Sequence, residues 1–583
     1  MWSHVFSAKP NFLIFTNLFN HEYKMRKFTI LFTLIFVASL SFYAEIAAEQ
    51  ATGTSAMVVT AHPLASEMGL EILKSGGNAV DAAVASGLLI SAVEPHASGL
   101  GGGGAMLIYL QDQDSLTYIN YYACAPEKIA VEFNPRKESS SARAVLVPGT
   151  VAGLHYALSH YGTISWKDLL LQVIDKIKGG FEVNANFYKI LLDSYEKLLL
   201  YPGTRSIYLV NNLPPEPGQV LKNEKLISTL KKLATDGPDI FYRGEIADSI
   251  EAAMIRHGGG VRKSDLEKYQ IRELAPLRGS YRGYEIFSAP PPQSGSTVIE
   301  ILNILELKNL GQMGDFSSSA ETFHFMAEAM KRAYADRIEF LGDPEFDAVQ
   351  DNILISKEFA RTRFETINME KAEPLRPKDT SAGDITKFLE RAAPEIKDRE
   401  GSTTQISIVD SKGNSVSLTQ TLNRFWGSGI CVCGFLLNNG MTTFFATDTV
   451  NQALPGKQPL TTIAPSMLFK NDTLAIVIGS PGAGRIISTM VEVICNLIDF
   501  DKEPQEANAA PRFCSRKWSD ILPVESRFNE QLLTRLKIMG HPIRTFGNMN
   551  LYFGGVQLIV IDSETGSLIG SSDPRRSGVA RGY

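Results

Sequence analysis

Residues 79–93 read Ala-Val-Asp-Ala-Ala-Val-Ala-Ser-Gly-Leu-Leu-Ile-Ser-Ala-Val, which puts apolar or small side chains on nearly every side of a helix. A helix with one apolar stripe can lie on a surface, but one that is apolar all round has to be enclosed. Gly76-Gly77-Asn78 stops a preceding helix over 64–73 and caps this one. Met57-Val-Val-Thr, further upstream, is a short strand. After the buried helix, Gly99-Leu-Gly-Gly-Gly-Gly104 leads into the strand Ala-Met-Leu-Ile-Tyr-Leu. A dinucleotide fingerprint needs strand, glycines, helix in that order, and here the order is helix, glycines, strand. The run is therefore read as a close backbone approach in a tight turn.

The middle of the chain, about 150–370, is mostly helical, with helices expected over 166–177, 225–235 and 319–337. Residues 374–402 then become polar, charged and proline-bearing, as a surface connection does. The texture changes again directly after them. Thr403-Thr-Gln-Ile-Ser-Ile-Val-Asp alternates, Ser411-Lys-Gly-Asn414 turns, and Ser415-Val-Ser-Leu-Thr-Gln-Thr-Leu alternates once more, a strong hairpin signal. A strand over 474–478, a turn Gly479-Ser-Pro-Gly-Ala-Gly484 and a helix over 485–497 follow. Strands on both sides of the connection, with helices outside them, imply stacked sheets covered by helices. With 583 residues, one large unit or two interlocked ones are expected.

Several classes of function are excluded at this level. The net charge of −6 and the absence of any Lys/Arg run argue against a nucleic-acid partner. Five cysteines, at 124, 431, 433, 495 and 514, are too few and odd in number for a disulfide framework. Cys431 and Cys433 form the one close pair, and the nine histidines show no His-Glu-x-x-His pattern. No metal and no cofactor is expected. At the N-terminus, Met25-Arg26-Lys27 precedes an apolar run over 28–44, and small residues follow at Ala44, Ala47 and Ala48. Residues 25–48 are read as a signal peptide, which implies a secreted, periplasmic or cell-surface protein. Residues 1–24 fit neither that region nor the folded part, and Met25 is a candidate start.

A threonine hydroxyl placed at the start of a strand, straight after a connection, is a weak nucleophile that needs a base. If the chain is cut just before it, its new α-amino group supplies that base, with an ordinary pKa of about 7.7–8.0. The same hydroxyl can make the cut by attacking the preceding carbonyl. Gly401-Ser-Thr-Thr-Gln405 offers three hydroxyls, and the pattern alone does not choose between them.

The blocks Thr60-Ala-His-Pro-Leu-Ala-Ser, Leu73-Lys-Ser-Gly-Gly-Asn-Ala-Val-Asp-Ala-Ala-Val-Ala, Glu94-Pro-His-Ala-Ser-Gly-Leu-Gly-Gly-Gly-Gly and Val147-Pro-Gly-Thr-Val-Ala-Gly stand in this order. Ala289-Pro-Pro-Pro-Gln-Ser-Gly-Ser, Lys457-Gln-Pro-Leu-Thr-Thr and Asp573-Pro-Arg continue the series. Together they resemble the gamma-glutamyltransferases (glutathione hydrolases), over nearly the whole length after residue 56. The resemblance implies an α+β fold, a four-layer αββα sandwich of antiparallel sheets of the N-terminal-nucleophile hydrolase type. It implies self-cleavage between Ser402 and Thr403, giving a large fragment 49–402 and a small fragment 403–583 that stay together as a heterodimer. Thr403 would be the nucleophile, Thr421 the threonine that hydrogen-bonds it, and Gly482 and Ala483 the amides that receive the oxyanion.

The implied reaction cleaves gamma-glutamyl amide bonds, as in glutathione, through an acyl-enzyme, and passes the acyl group to water or to an amino-acid or peptide amine. The substrate-binding positions depart from the family pattern. The arginine that holds the α-carboxylate is replaced by Tyr122. Asn423 survives, but Gly440 and Thr443 stand where acceptors for the α-amino group belong, and a Ser-Ser pair becomes Thr461-Thr462. The segment between Thr443 and Pro459 is short for a lid. Alternative acyl donors are therefore a dicarboxylic-acyl amide, such as a cephalosporin side chain, or a poly-gamma-glutamate linkage. An inactive secreted binding protein is the remaining reading.

Overall fold

Two seven-stranded sheets, each antiparallel throughout, carry the molecule. The structure, a computed structural model, describes residues 50–129, 132–373, 383, 402–445, 449–516 and 521–583. The expected signal peptide, residues 1–24 and all of the 374–402 connection except Gly383 and Ser402 lie outside the described residues.

One sheet is built from β1 (Ala51–Gly53), β6 (Leu277–Tyr281), β7 (Tyr284–Ser288), β10 (Ser466–Lys470), β11 (Thr473–Gly479), β12 (Gln557–Ile561) and β13 (Leu568–Ser572), in the order β1-β13-β12-β11-β10-β7-β6. The other contains β2 (Met57–Thr60), β3 (Gly103–Leu110), β4 (Ser115–Tyr121), β5 (Arg272–Leu274), β8 (Ser402–Val409), β9 (Ser415–Asn423) and β14 (Val579–Gly582), in the order β14-β2-β8-β9-β3-β4-β5. Each sheet takes strands from both sides of the Ser402–Thr403 bond, so neither half of the chain could form its layer alone.

Helices α1 (Pro63–Lys74) and α2 (Ala79–Val93) cover the second sheet, and α3 (Gly295–Leu305), α4 (Ala320–Phe340) and α5 (Ile486–Ile498) lie on the side of the first. The layers are thus α, β, β, α. All fifteen residues of α2 are buried, as its apolar sequence requires. Asn78 caps it by accepting from the amides of Val80 and Asp81, and Asp81 returns a bond to the Asn78 amide.

Between the sheets the packing is partly polar. Ser407 Oγ donates to Gln557 O at 2.9 Å and Ser417 Oγ to Ile478 O at 3.0 Å. Gln405 Nε2 donates to Ser417 Oγ at 2.9 Å, and its Oε1 accepts from Thr419. Each of these side chains finds a backbone or side-chain partner, which offsets the cost of burying it. The hairpin β8–β9 read from the alternation is present, and its two strands lie in the middle of their sheet.

Candidate active site

The β8–β9 ladder breaks its register at the end where the connection enters. Thr404 pairs with Gln420, but Ser402 pairs with Asn423. Continuing the regular pairing puts Thr403 opposite Thr421 and leaves Leu422 as the extra residue of a bulge. The Leu422 amide turns away to donate to Ala97 O at 3.0 Å. Residues directly opposite in an antiparallel pair share a face, so the Thr403 and Thr421 side chains stand together, and Thr403 Oγ1 donates to Thr421 Oγ1 at 3.1 Å. Both hydroxyls also contact the carbonyl oxygen of Ser402, and the Asn423 amide donates to Thr421 Oγ1 at 2.8 Å.

The same row continues across the sheet. Thr421 pairs with Gly103, and Gly104 with Tyr121, so Tyr122 follows as the fourth member. With neighbouring strands about 4.8 Å apart, Thr403 and Tyr122 stand about 14 Å apart along the backbone. Gly103 lies between them without a side chain, and a Cβ there would sit 2.5 Å from the Ala123 amide nitrogen. The glycine run also needs its bareness elsewhere, since a Cβ on Gly104 would sit 2.5 Å from Thr419 O. This is the close approach expected from the sequence.

The turn after α2 clamps residues 402–404 from the other face. Glu94 Oε2 accepts from Thr404 Oγ1 at 2.9 Å, Ala97 O from Ser402 Oγ at 3.2 Å, and His96 O from the Trp426 amide at 2.9 Å. Burial pushes the Glu94 carboxyl up to about 7, against the pull of Arg576 and the Thr404 hydroxyl. Glu94 was legible as part of a motif but not as a contact of the scissile segment, because its partner lies 310 residues away.

Gly482 and Ala483 lie in the loop that follows β11. They adopt φ of 133° and 49°, and no described residue accepts from either amide. Free, pre-oriented N–H groups before a helix form an anion-receiving turn. The helix itself begins at Ile486, after a short 3-10 turn over Ala483–Arg485. Thr462 Oγ1 donates to Ala483 O at 2.8 Å, tying this loop to the Thr461-Thr462 pair.

The substrate-binding positions divide. Tyr122 is 3% exposed, its hydroxyl is hydrogen-bonded with Thr461, and burial raises it to about 12, so the phenol stays neutral. The Asn423 amide group is taken up by Asn439 O at 3.0 Å and Thr442 Oγ1 at 2.8 Å. Thr443 Oγ1 bonds back to Gly440 O at 2.5 Å. Gly440 has no room for an acceptor side chain, since a Cβ there would meet Leu146 Cδ1 at 2.5 Å.

One buried group of metal-ligand types, His324, Glu328 and His541, escaped the sequence reading. His324 and Glu328 lie four apart on α4, but His541 comes from a distant turn. His324 Nε2 faces Asn368 O at 2.7 Å and must donate, so its Nδ1 accepts from His541 Nε2 at 2.8 Å. Glu328 is held by Lys331 and Arg332. The facing imidazole nitrogens and the carboxylate are thus engaged with one another or with neighbouring cations, while His541 Nδ1 has no partner among the described residues. A separate cavity of about 340 Å³, lined by Cys124, Asp265, Tyr269 and Arg272 among others, lies behind the Tyr122 backbone.

Residues 65–583 match the family described as gamma-glutamyltranspeptidase. The chain is 35% identical over 551 residues to a glutathione hydrolase proenzyme of Bacillus subtilis (strain 168), covering 91% of this chain and 92% of that protein. It is also 35% identical over 525 residues to an acylase ACY 1 proenzyme of Pseudomonas sp. (strain SE83), covering 86% and 90%. Its fold matches the crystal structure of cephalosporin acylase from Bacillus halodurans with a TM-score of 0.81 at 28% identity, over 92% of this chain and 97% of that one.

Four αββα layers define the fold of the N-terminal-nucleophile hydrolases. Within that class the chain belongs to the gamma-glutamyltranspeptidase family, whose members are hydrolytic enzymes.

Proposed function

We propose that the chain cleaves itself between Ser402 and Thr403 and then uses Thr403 to hydrolyse or transfer acyl groups from gamma-glutamyl amides. The observation that carries this is the pair of hydroxyls, Thr403 and Thr421, gathered on the Ser402 carbonyl. In maturation, Thr403 Oγ1 attacks the Ser402 carbonyl carbon and loses its proton. The negative oxygen that forms is held by the Thr421 hydroxyl. The C–N bond then breaks, the nitrogen takes up a proton to become an amine, and an ester is left on Thr403. Water cleaves the ester, giving a Ser402 carboxylate and a free Thr403 hydroxyl with its own α-amino group as base.

In the mature enzyme the amine accepts the Thr403 proton as the hydroxyl attacks the substrate amide. The Gly482 and Ala483 amides receive the oxyanion, and the leaving amine departs with that proton. Water or an acceptor amine then takes the acyl group from Thr403. The large and small fragments stay together because each sheet is woven from both. We place the protein outside the cytoplasm on the strength of residues 25–48.

A second reading concerns the donor. Tyr122 is neutral and buried, the Thr443 hydroxyl is engaged, and Gly440 is packed against Leu146, so the anchors for a free α-amino acid end are reduced. Acyl amides without the α-amino group fit this pocket better, as in an acylase.

A denaturing gel with N-terminal sequencing tests the main reading. The purified protein should show two fragments, the smaller beginning Thr-Thr-Gln-Ile-Ser, and should release 4-nitroaniline from an acyl anilide. An intact wild-type chain, or a cut chain in Thr403→Ala, would sink it.

A further inference from the structure

Four buried guanidinium groups meet carboxylates directly. Arg332 meets Glu328 at 2.9 Å, Arg363 meets Asp336 at 2.8 Å, Arg512 meets Asp573 at 2.6 Å and Arg575 meets Glu525 at 2.7 Å. Arg337, near the end of α4, is 6% exposed and meets no carboxylate among the described residues. Its Nε donates to Ser294 Oγ at 2.9 Å, and its two terminal nitrogens have no hydrogen-bond partner among the described residues. Its titratable neighbours are the Tyr334 phenol, which burial keeps neutral, and a second guanidinium, Arg516. Burial and Arg516 pull it down to about 10, which still leaves it a cation at neutral pH. A buried guanidinium with no carboxylate among its described neighbours is costly unless an anion meets it.

Its surroundings belong to the proposed acyl site. Ser294 Oγ donates to Thr461 O at 2.7 Å, and Thr461 is bonded with the Tyr122 hydroxyl. One turn back on α4, the Tyr334 hydroxyl donates to Gly484 O, and Gly484 packs against the Arg516 guanidinium. Arg337 and Arg516 therefore flank the 482–484 loop on the side of Thr461 and Thr462. A guanidinium presents its N–H groups as a planar fork matched to a carboxylate.

Resting on the reading that Thr403 is acylated in this pocket, we infer that Arg337 binds a carboxylate on the acyl donor, taking over the role vacated at Tyr122. The preferred donor is then a dicarboxylic monoamide, with one carboxyl in the scissile amide and the other on Arg337.

The test uses mature enzyme, with glutarate as binding probe and two anilides as substrates. By calorimetry, wild type should bind glutarate, Arg337→Gln should bind it at least about tenfold more weakly, and Arg337→Lys should fall between them. The KM for glutaryl-4-nitroanilide should rise by about as much in Arg337→Gln, while the KM for butyryl-4-nitroanilide should not move. Equal glutarate affinity in wild type and a self-cleaving Arg337→Gln overturns the assignment. So does equal competition by inorganic phosphate, which would mark a general anion hole. If Arg337→Gln does not mature, a crystal of the wild-type glutarate complex decides, since a carboxylate away from Arg337 refutes the site. Release of 4-nitroaniline from neither anilide, with glutarate still seated on Arg337, would instead count against the enzyme reading alone.

Discussion

Thr403 Oγ1 lies 3.1 Å from Thr421 Oγ1, and both hydroxyls reach the carbonyl oxygen of Ser402, the bond that maturation would break. Regular pairing up to Thr403 and Thr421 sets the two threonines on one face, and the extra residue Leu422 just beyond them puts Ser402 opposite Asn423.

If the Thr421 hydroxyl holds the oxyanion of self-cleavage, Thr421→Val should fold but mature slowly. Loss of one such donor costs about 10²–10³ in rate. Gel time courses on freshly translated chain would measure it, and maturation at the wild-type rate would remove Thr421 from that role.

Glu94 predicts a pH dependence of stability. Its carboxyl rises from 4.5 to about 7 on burial, so the fold favours the protonated form. That contribution is full below pH 4.5 and is lost as the pH climbs through about 7, a difference of about 3 kcal/mol. In the uncleavable Thr403→Ala background, Glu94→Gln should therefore stabilise the chain at pH 8 by about that amount and change little at pH 4. Urea unfolding at the two pH values checks it, and an equal gain at both would show that Glu94 does not titrate as stated.

The pocket departures predict donor preference. Wild type should turn over a gamma-glutamyl anilide poorly beside a glutaryl anilide, which lacks the α-amino group. Charge-assisted hydrogen bonds contribute about 1.5–3 kcal/mol each, so Tyr122→Arg with Thr443→Asp should raise gamma-glutamyl turnover by about two orders of magnitude or more. The pair should exceed the combined single changes, because both act on one substrate. Efficient cleavage of glutathione by wild type would show that other residues hold the zwitterion, with Arg424 the first to mutate.

Chelators should leave maturation and activity unchanged. In the His324–His541 pair the facing lone pair of His324 is taken by a proton, and Glu328 is already neutralised by Lys331 and Arg332. Elemental analysis of purified protein measures the metal content directly. Loss of activity on chelation, restored by one divalent ion, would show this set to be a metal centre.

Much of the fold was legible because it is written locally. The all-round apolar character of 79–93, the glycine run and the alternation on both sides of Ser411-Lys-Gly-Asn414 each specify an element, and each is present. Beyond the β8–β9 hairpin, strand order was not legible, since β2 reaches β8 and β3 reaches β9 only through pairings far apart in sequence.

By itself the sequence determined the layered class, the buried helix, the hairpin and, through resemblance, Thr403 as the nucleophile to examine. Tertiary structure alone decided that Glu94 grips Thr404 and that Arg337 has no counter-charge among the described residues. These properties depend on distances between segments far apart in the chain. A residue's charge is fixed by its type, but whether that charge is paired is fixed by what folds against it.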